Sequence, residues 1–219
     1  MKDLRATRGG RIVREMIAQG EHETQDFKFA ISDARKIARS LSAFANNSGG
    51  RLLIGVKDNG SVAGVRSEED VFVVEQAAER YCNPPLEVSF KAYTVDGTAC
   101  VIVASVEASA VRPVRSQEPD GTWRAYYRVA DENIAAHPLM VRAWERKTSG
   151  PGLAFSLGGI YTDMLDLISR KGMINDTREA ALALHVSQAA ADEAVVALAA
   201  MDLVEFVFEP PRFVIRLCQ

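Results

Sequence analysis

Between residues 8 and 19, Ile12, Val13, Met16 and Ile17 recur at helical spacing, and Arg8, Arg11 and Arg14 occupy the other side. That pattern predicts an amphipathic opening helix that stops near Gly20. The period then changes to two. Over 24–30, Phe27 and Phe29 fall on one face and Asp26 and Lys28 on the other, the alternation of a half-buried strand whose charged face meets solvent. Ser32 or Asp33 can cap a helix running to about Asn46, with Ile37, Leu41, Phe44 and Ala45 as its apolar stripe and Asn47 to Gly50 as its stop. The apolar run 52–56 predicts a strand, turned at Asp58, Asn59 and Gly60 into 61–65. Further along, the pattern predicts a helix over 68–81 closed by Asn83, Pro84 and Pro85. Strands over 86–93 and 99–106 flank the turn at Asp96 and Gly97, and a strand over 123–129 and a helix over 135–147 follow.

Strands and helices intermixed in this way predict an α+β fold with a mixed sheet, over a domain spanning residues 1–148. Residues 149–159, rich in glycine and without periodicity, have the composition of a linker. Three helical stretches over 160–171, 177–185 and 187–201, followed by strands over 203–208 and 212–217, predict a winged-helix-like domain over 160–219.

Composition narrows the class. No apolar run among the 219 residues approaches the roughly 18 to 20 needed to span a bilayer, and the N-terminus lacks the apolar region of a secretory signal, so a cytoplasmic protein without a membrane partner is expected. Cys82, Cys100 and Cys218 are far apart and odd in number, which argues against a disulfide framework. The three histidines are isolated, and no cysteine and histidine set has zinc-ligand spacing. Residues 151–219 hold five basic against nine acidic side chains, leaving 21 against 20 in the rest, so the N-terminal part is the expected anion-binding surface despite a net charge of −3.

From Gly20 the chain reads GEHETQDFKF, then ISDARKIARSLSAFANNSGGRLLIGVKDNGSVAGV to Val65. An acid before Phe-Lys, a helix ending Ser-Ala-Phe-Ala-Asn, Gly-Gly, a strand ending Ile-Gly-Val and an acidic hairpin occur in that order, and the whole resembles the Schlafen/AlbA-type DNA-binding domain family. Arg112-Pro113-Val114 and the run from Ala125 to Asn133 resemble the family's later strand and its Arg-Val element, extending the likeness over roughly 10–147. The resemblance implies a nucleic-acid-binding protein, DNA or RNA, of the kind found as bacterial DNA-binding regulators.

In some members of that family three carboxylates hold Mg²⁺ or Mn²⁺ and cut RNA. The matching positions here are Glu21, Asp26 and Asp58, with Lys28 near the phosphate. Such metals take hard oxygen ligands and can activate water. Glu21 can join Asp26 only if the chain bends after Gly20, because an odd spacing puts the two on opposite faces of a continuous strand. The competing reading makes Asp26 and Lys28 a solvated strand face and Asp58 a turn residue. ATP is not expected as a cofactor, because 55–61 lacks the lysine a P-loop places after its second glycine. Arg8, Arg11, Arg14, Arg35 and Arg39, with Lys28, are the expected basic surface. The chain carries one such lobe, so a homodimer is expected, with the apolar helix 189–201 as a candidate seam. An assembly scaffold built through the winged helix is the third alternative.

Overall fold

The computed structural model describes residues 4–65, 69–149 and 158–218, and the chain divides into two compact units, Met1–Ala135 and Ala136–Gln219. The first contains β1 (Thr7–Arg8), α1 (Gly10–Ala18), β2 (Gln25–Lys28), α2 (Ala34–Asn46), β3 (Gly50–Ile54), α3 (Glu69–Arg80), β4 (Cys82–Asn83), β5 (Ser89–Val95), β6 (Ala99–Val106), β7 (Arg115–Gln117), β8 (Trp123–Val129) and β9 (Glu132–Ala135). The α+β expectation is met. A five-stranded sheet runs in the order β1-β5-β6-β3-β2 and a four-stranded sheet in the order β4-β7-β8-β9. The first is mixed: β2 lies parallel to β3 and β1 to β5, while β6 is antiparallel to both of its neighbours.

The apolar run in β3 follows from burial on both faces. Leu52 and Ile54 join the core formed with α2 and α3, whereas Leu53 joins Val13 of α1, Phe27, Val101 and Val103 on the opposite side. An unalternating apolar strand is what a doubly covered sheet requires. β2, α2 and β3 therefore form a parallel crossover unit, which sets the first turn of α2 beside the carboxyl ends of β2 and β3. Asp33 caps α2 by accepting from the backbone N–H of Arg35 at 3.0 Å and of Lys36 at 3.4 Å.

α2 is covered a second time by the four-stranded sheet, and the contact is polar where it is most buried. Asn46, 1% exposed, donates to the carbonyls of Val114 at 2.8 Å and Tyr126 at 2.9 Å, and its own oxygen accepts from Val114 N–H at 2.8 Å. Asn47 exchanges two hydrogen bonds with the backbone of Arg128, at 2.9 and 3.0 Å. The paired asparagines act as an extra length of strand backbone laid against β8.

The second unit contains α4 (Pro138–Ser149), α5 (Ile160–Lys171), β10 (Met173–Ile174), α6 (Thr177–Leu184), α7 (Gln188–Ala200), β11 (Val204–Glu209) and β12 (Arg212–Leu217), with its strands in the antiparallel order β10-β12-β11. α4 belongs to this unit and not to the preceding one, so the division falls ahead of it, after Ala135, instead of within 149–159. Arg142 and Arg146 both pair with Glu193 on α7, and Lys147 reaches Asp202 at 2.7 Å. Residues 150–157 of the expected linker lie outside the described residues. The expected dimer seam on α7 is not available: Ala191, Ala194, Val195, Val196, Ala197 and Leu198 are each 3% exposed or less, because α4, α5, α6 and β11 surround the helix. A helix apolar on all sides is a core helix.

Replacing Asn46 by alanine should strand the Val114 and Tyr126 backbone groups without water. We expect urea unfolding to report a loss of roughly 2 to 4 kcal/mol. A loss below about 0.5 kcal/mol, the level of an unremarkable surface substitution, would mean the side chain does not hold β8 on α2.

Candidate nucleic-acid interface

The bend that Glu21 needs is present. Gly20 takes a φ of +72°, a left-handed conformation open to glycine at no steric penalty, and the chain then turns through His22 and Gln25, which pair across an isolated bridge. Gln25, fully buried, fixes the turn by donating to the carbonyls of Met16 and Gly20, both at 2.7 Å. Glu21 thereby reaches the outer edge of β2, where one carboxylate oxygen accepts from Phe27 N–H at 2.8 Å. Its carboxyl also adjoins that of Asp26, and each shifts the titration of the other. β2 is an edge strand, so Glu21 closes part of an otherwise open ladder.

Asp26 is not on a solvated face. It is 5% exposed, with Lys28 Nζ at 2.7 Å from Oδ2 and Arg128 Nη2 at 3.6 Å from Oδ1. The face opposite Phe27 points toward the layer formed by α2 and β8, and Arg128 of β8 reaches it. Arg128 is 1% exposed, and it lies over the Phe44 ring at 5.0 Å. It donates to Asn133 Oδ1 at 2.9 Å and to the carbonyls of His22 at 3.3 Å and Gln25 at 3.4 Å. Burial pushes the Asp26 carboxyl up, but the Glu21 hydrogen bond, the Lys28 ammonium and the Arg128 guanidinium outweigh it and hold the group below the ordinary aspartate range. Glu21 moves the other way. Burial and the adjoining Asp26 carboxyl hold it above the ordinary range, against the pull of Phe27 N–H and Lys28.

The three acids implied by the resemblance are not gathered. Asp58 is exposed in the turn after β3, where Gly60 N–H donates to Lys57 O at 2.7 Å and Asn59 Oδ1 accepts from Ser61 N–H at 3.0 Å. Among the described residues no group of three or more His, Cys, Asp or Glu side chains is placed to hold a metal ion. As they stand, these residues do not fit Mg²⁺ or Mn²⁺. A hard cation needs open carboxylate oxygens, and both oxygens of Asp26 face protein cations.

The expected basic surface is split. α1 packs on one face of the five-stranded sheet and α2 on the other, so Arg11 and Arg14 do not share a face with Arg35 and Arg39, and Arg8 lies on the edge strand β1. Arg11 pairs with Glu15 at 2.7 Å, and Arg14 pairs with Asp96. These are exposed pairs, worth little and easily exchanged for a phosphate. Arg39 is committed further, forked onto Glu118, which also accepts from Tyr126 OH at 2.8 Å. That use of Tyr126, 7% exposed, makes it a packing residue and not a base-stacking one. Gly49 and Gly50 act as a helix stop: Gly49, at φ +81°, returns its N–H to Phe44 O at 2.9 Å, and Gly50 leaves room for the Phe44 ring.

Two residues that sequence reasoning missed matter here. Arg128 reads from the sequence as one residue of an Arg-Val element, and nothing local says that a strand arginine is buried. Alternation sets Phe29 on the same face as Phe27, yet β2 ends at Lys28 and Phe29 is 42% exposed, with Lys57 Nζ 5.4 Å from its ring centroid.

The shift on Glu21 fixes a pH dependence. A carboxyl raised in the folded state adds stability that is complete below its unfolded value and is lost as pH rises through the folded one. Glu21→Gln keeps the acceptor for Phe27 N–H and supplies a permanent donor to Asp26. Relative to wild type, the variant should gain stability as pH rises from about 4 to 7 in thermal unfolding. A difference that stays flat or moves the other way over that window would remove the upward shift assigned to Glu21.

No curated protein matches the chain. Among solved structures it is similar to the DIP2311 protein from Corynebacterium diphtheriae, at 20% identity and a TM-score of 0.46 over 88% of this chain and 34% of that one. It is also similar to the N-terminal domain of a RecG-related protein from Nitrosomonas europaea, at 22% identity and a TM-score of 0.40 over 56% of this chain and 88% of that one. The chain thus spans about a third of the length of DIP2311. The family model described as Schlafen, AlbA_2 matches residues 21–137, which run from Glu21 through β9 and cover more than half of the sequence. The chain belongs to the Schlafen AlbA_2 family, whose membership points to a nucleic-acid-related role.

Proposed function

We propose that this protein binds nucleic acid without cutting it and serves as a DNA-binding regulator of the Schlafen/AlbA type in the cytoplasm. The observation that carries the reading is the commitment of Asp26: its oxygens neutralise Lys28 and a fully buried Arg128, so the acid with the deepest position supports the fold instead of a metal. The contact surface is the rim at the carboxyl ends of β2 and β3. Lys57 and the first turn of α2, with Arg35 and Lys36, supply cations there. In open α/β sheets ligands bind at the carboxyl ends of parallel strands, and β2 and β3 form one such parallel pair.

The second unit supports a winged-helix-like reading through α5, α6 and α7 followed by β11 and β12, with α6 and α7 meeting at 115°. Gln188, its best base-reading side chain, donates instead to Thr177 Oγ1 at 2.6 Å and Asp192 Oδ1 at 2.9 Å. We therefore give this unit to protein contacts, including those of a homodimer, and not to the major groove. Metal-dependent RNA cleavage is the second reading. It is favoured by one observation, the bend at Gly20 that brings Glu21 to the edge of β2 next to Asp26, and it requires Lys28 to leave Asp26.

Fluorescence anisotropy on labelled single-stranded RNA, single-stranded DNA and duplex DNA should show binding that weakens steeply between about 50 and 200 mM salt. Arg35→Ala with Lys36→Ala should flatten the salt slope by roughly two units. The strands should stay intact in Mn²⁺ as in chelator. Absence of binding on all three probes would end the proposal. Cleavage that needs Mn²⁺ and disappears in Glu21→Gln would replace it with the nuclease.

A further inference from the structure

We infer that Phe29 and Lys57 form a stacking subsite for one unpaired base of a single-stranded nucleic acid, a role that rests on the nucleic-acid reading above. β2 stops at Lys28, and Gly55 N–H closes the ladder on Lys28 O at 2.8 Å, so Phe29 is the first residue past the end of the strand. Its ring is 42% exposed while Phe27, two residues earlier, is 2% exposed. An aromatic ring left at the carboxyl rim of a parallel pair, beside cations, is the composition of a single-strand platform: the ring takes a base and the ammonium takes its phosphate.

Lys57 is what turns the ring from an exposed apolar group into a subsite. Its ammonium sits 5.4 Å from the ring centroid, and it is exposed, on a stem with four rotatable carbons. An exposed cation–π contact is weaker than the stacking of a base on an aromatic ring, so a base can displace the ammonium, which then remains within reach of the adjoining phosphate. Lys28 lies next in sequence, 32% exposed and pinned to Asp26, and continues the positive rim toward the first turn of α2. Among the described residues, the acids near the rim include Asp58, beside Lys57, Asp33, which is occupied in capping α2, and Asp70, whose carboxylate accepts from Ile31 N–H at 3.2 Å. Duplex nucleic acid offers no unstacked base, so the subsite selects single strands.

The test compares the full chain with Phe29→Ala, Phe29→Leu, Phe29→Trp and Lys57→Ala. Anisotropy would be read on a labelled single strand of about 15 nucleotides and on a blunt duplex of equal charge. Phe29→Ala and Phe29→Leu should weaken single-strand binding by roughly five- to a hundredfold and leave duplex binding within about twofold. Phe29→Trp should retain or tighten it, which separates stacking from loss of bulk. Lys57→Ala should flatten the single-strand salt slope by about one unit. Matched thermal unfolding of the variants and wild type is part of the expected result. If wild type binds and Phe29→Leu binds the single strand equally well, the subsite falls while the nucleic-acid reading stands. If wild type binds neither probe, both fall.

Discussion

A guanidinium cannot lose its charge, so burying Arg128 to 1% exposure obliges the surrounding chain to supply a counter-charge and hydrogen-bond acceptors. Asp26 provides the charge. The carbonyls of His22 and Gln25 and the Asn133 side chain provide acceptors, the Phe44 ring provides a face, and Asn47 holds the arginine's own backbone. These partners come from β2, the turn before it, α2 and β9. One side chain thus ties the edge of the five-stranded sheet to the four-stranded sheet across α2. Removing either member of such a pair leaves the other charged and dry, which is the expensive outcome.

The same arrangement determines what the acidic strand is free to do. Lys28 and Arg128 draw Asp26 below the ordinary carboxyl range, and Asp26 in turn holds Glu21 above it, so two acids five positions apart acquire opposite protonation tendencies. Glu21 then serves the outer edge of β2 through Phe27 N–H. Polar residues that read as a reactive cluster are largely consumed in closing a sheet edge and docking a second sheet. The cations still exposed at the rim lie farther along, at Lys57, Lys36 and the first turn of α2.

Much of the first unit was legible because its signals are local. The doubly apolar run of β3, the Asp33 cap, the stripe of α2 and the Asp96-Gly97 turn each declare themselves within a few residues. The strands of two or three residues, β1, β4, β7 and β10, are too short for a period to register. Asp26 and Lys28 alternate with Phe27 as a solvated face would, and only the arrival of β8, about a hundred residues later, makes that face buried. A helical stripe such as that of α4 says that it packs but not against which unit. For α7 the signal was present, since alanine, valine and leucine surround that helix on every side, and it pointed inward instead of to a partner.

The central claim is that Asp26 is the structural counter-charge of Arg128, and the unfolding free energy of Asp26→Asn in urea addresses it most directly. Asparagine keeps the size and an acceptor but leaves the buried guanidinium uncompensated. The account predicts a loss of about 3 kcal/mol or more at neutral pH. Stability within about 0.5 kcal/mol of wild type would contradict it and return Asp26 to the residues whose charge serves a ligand.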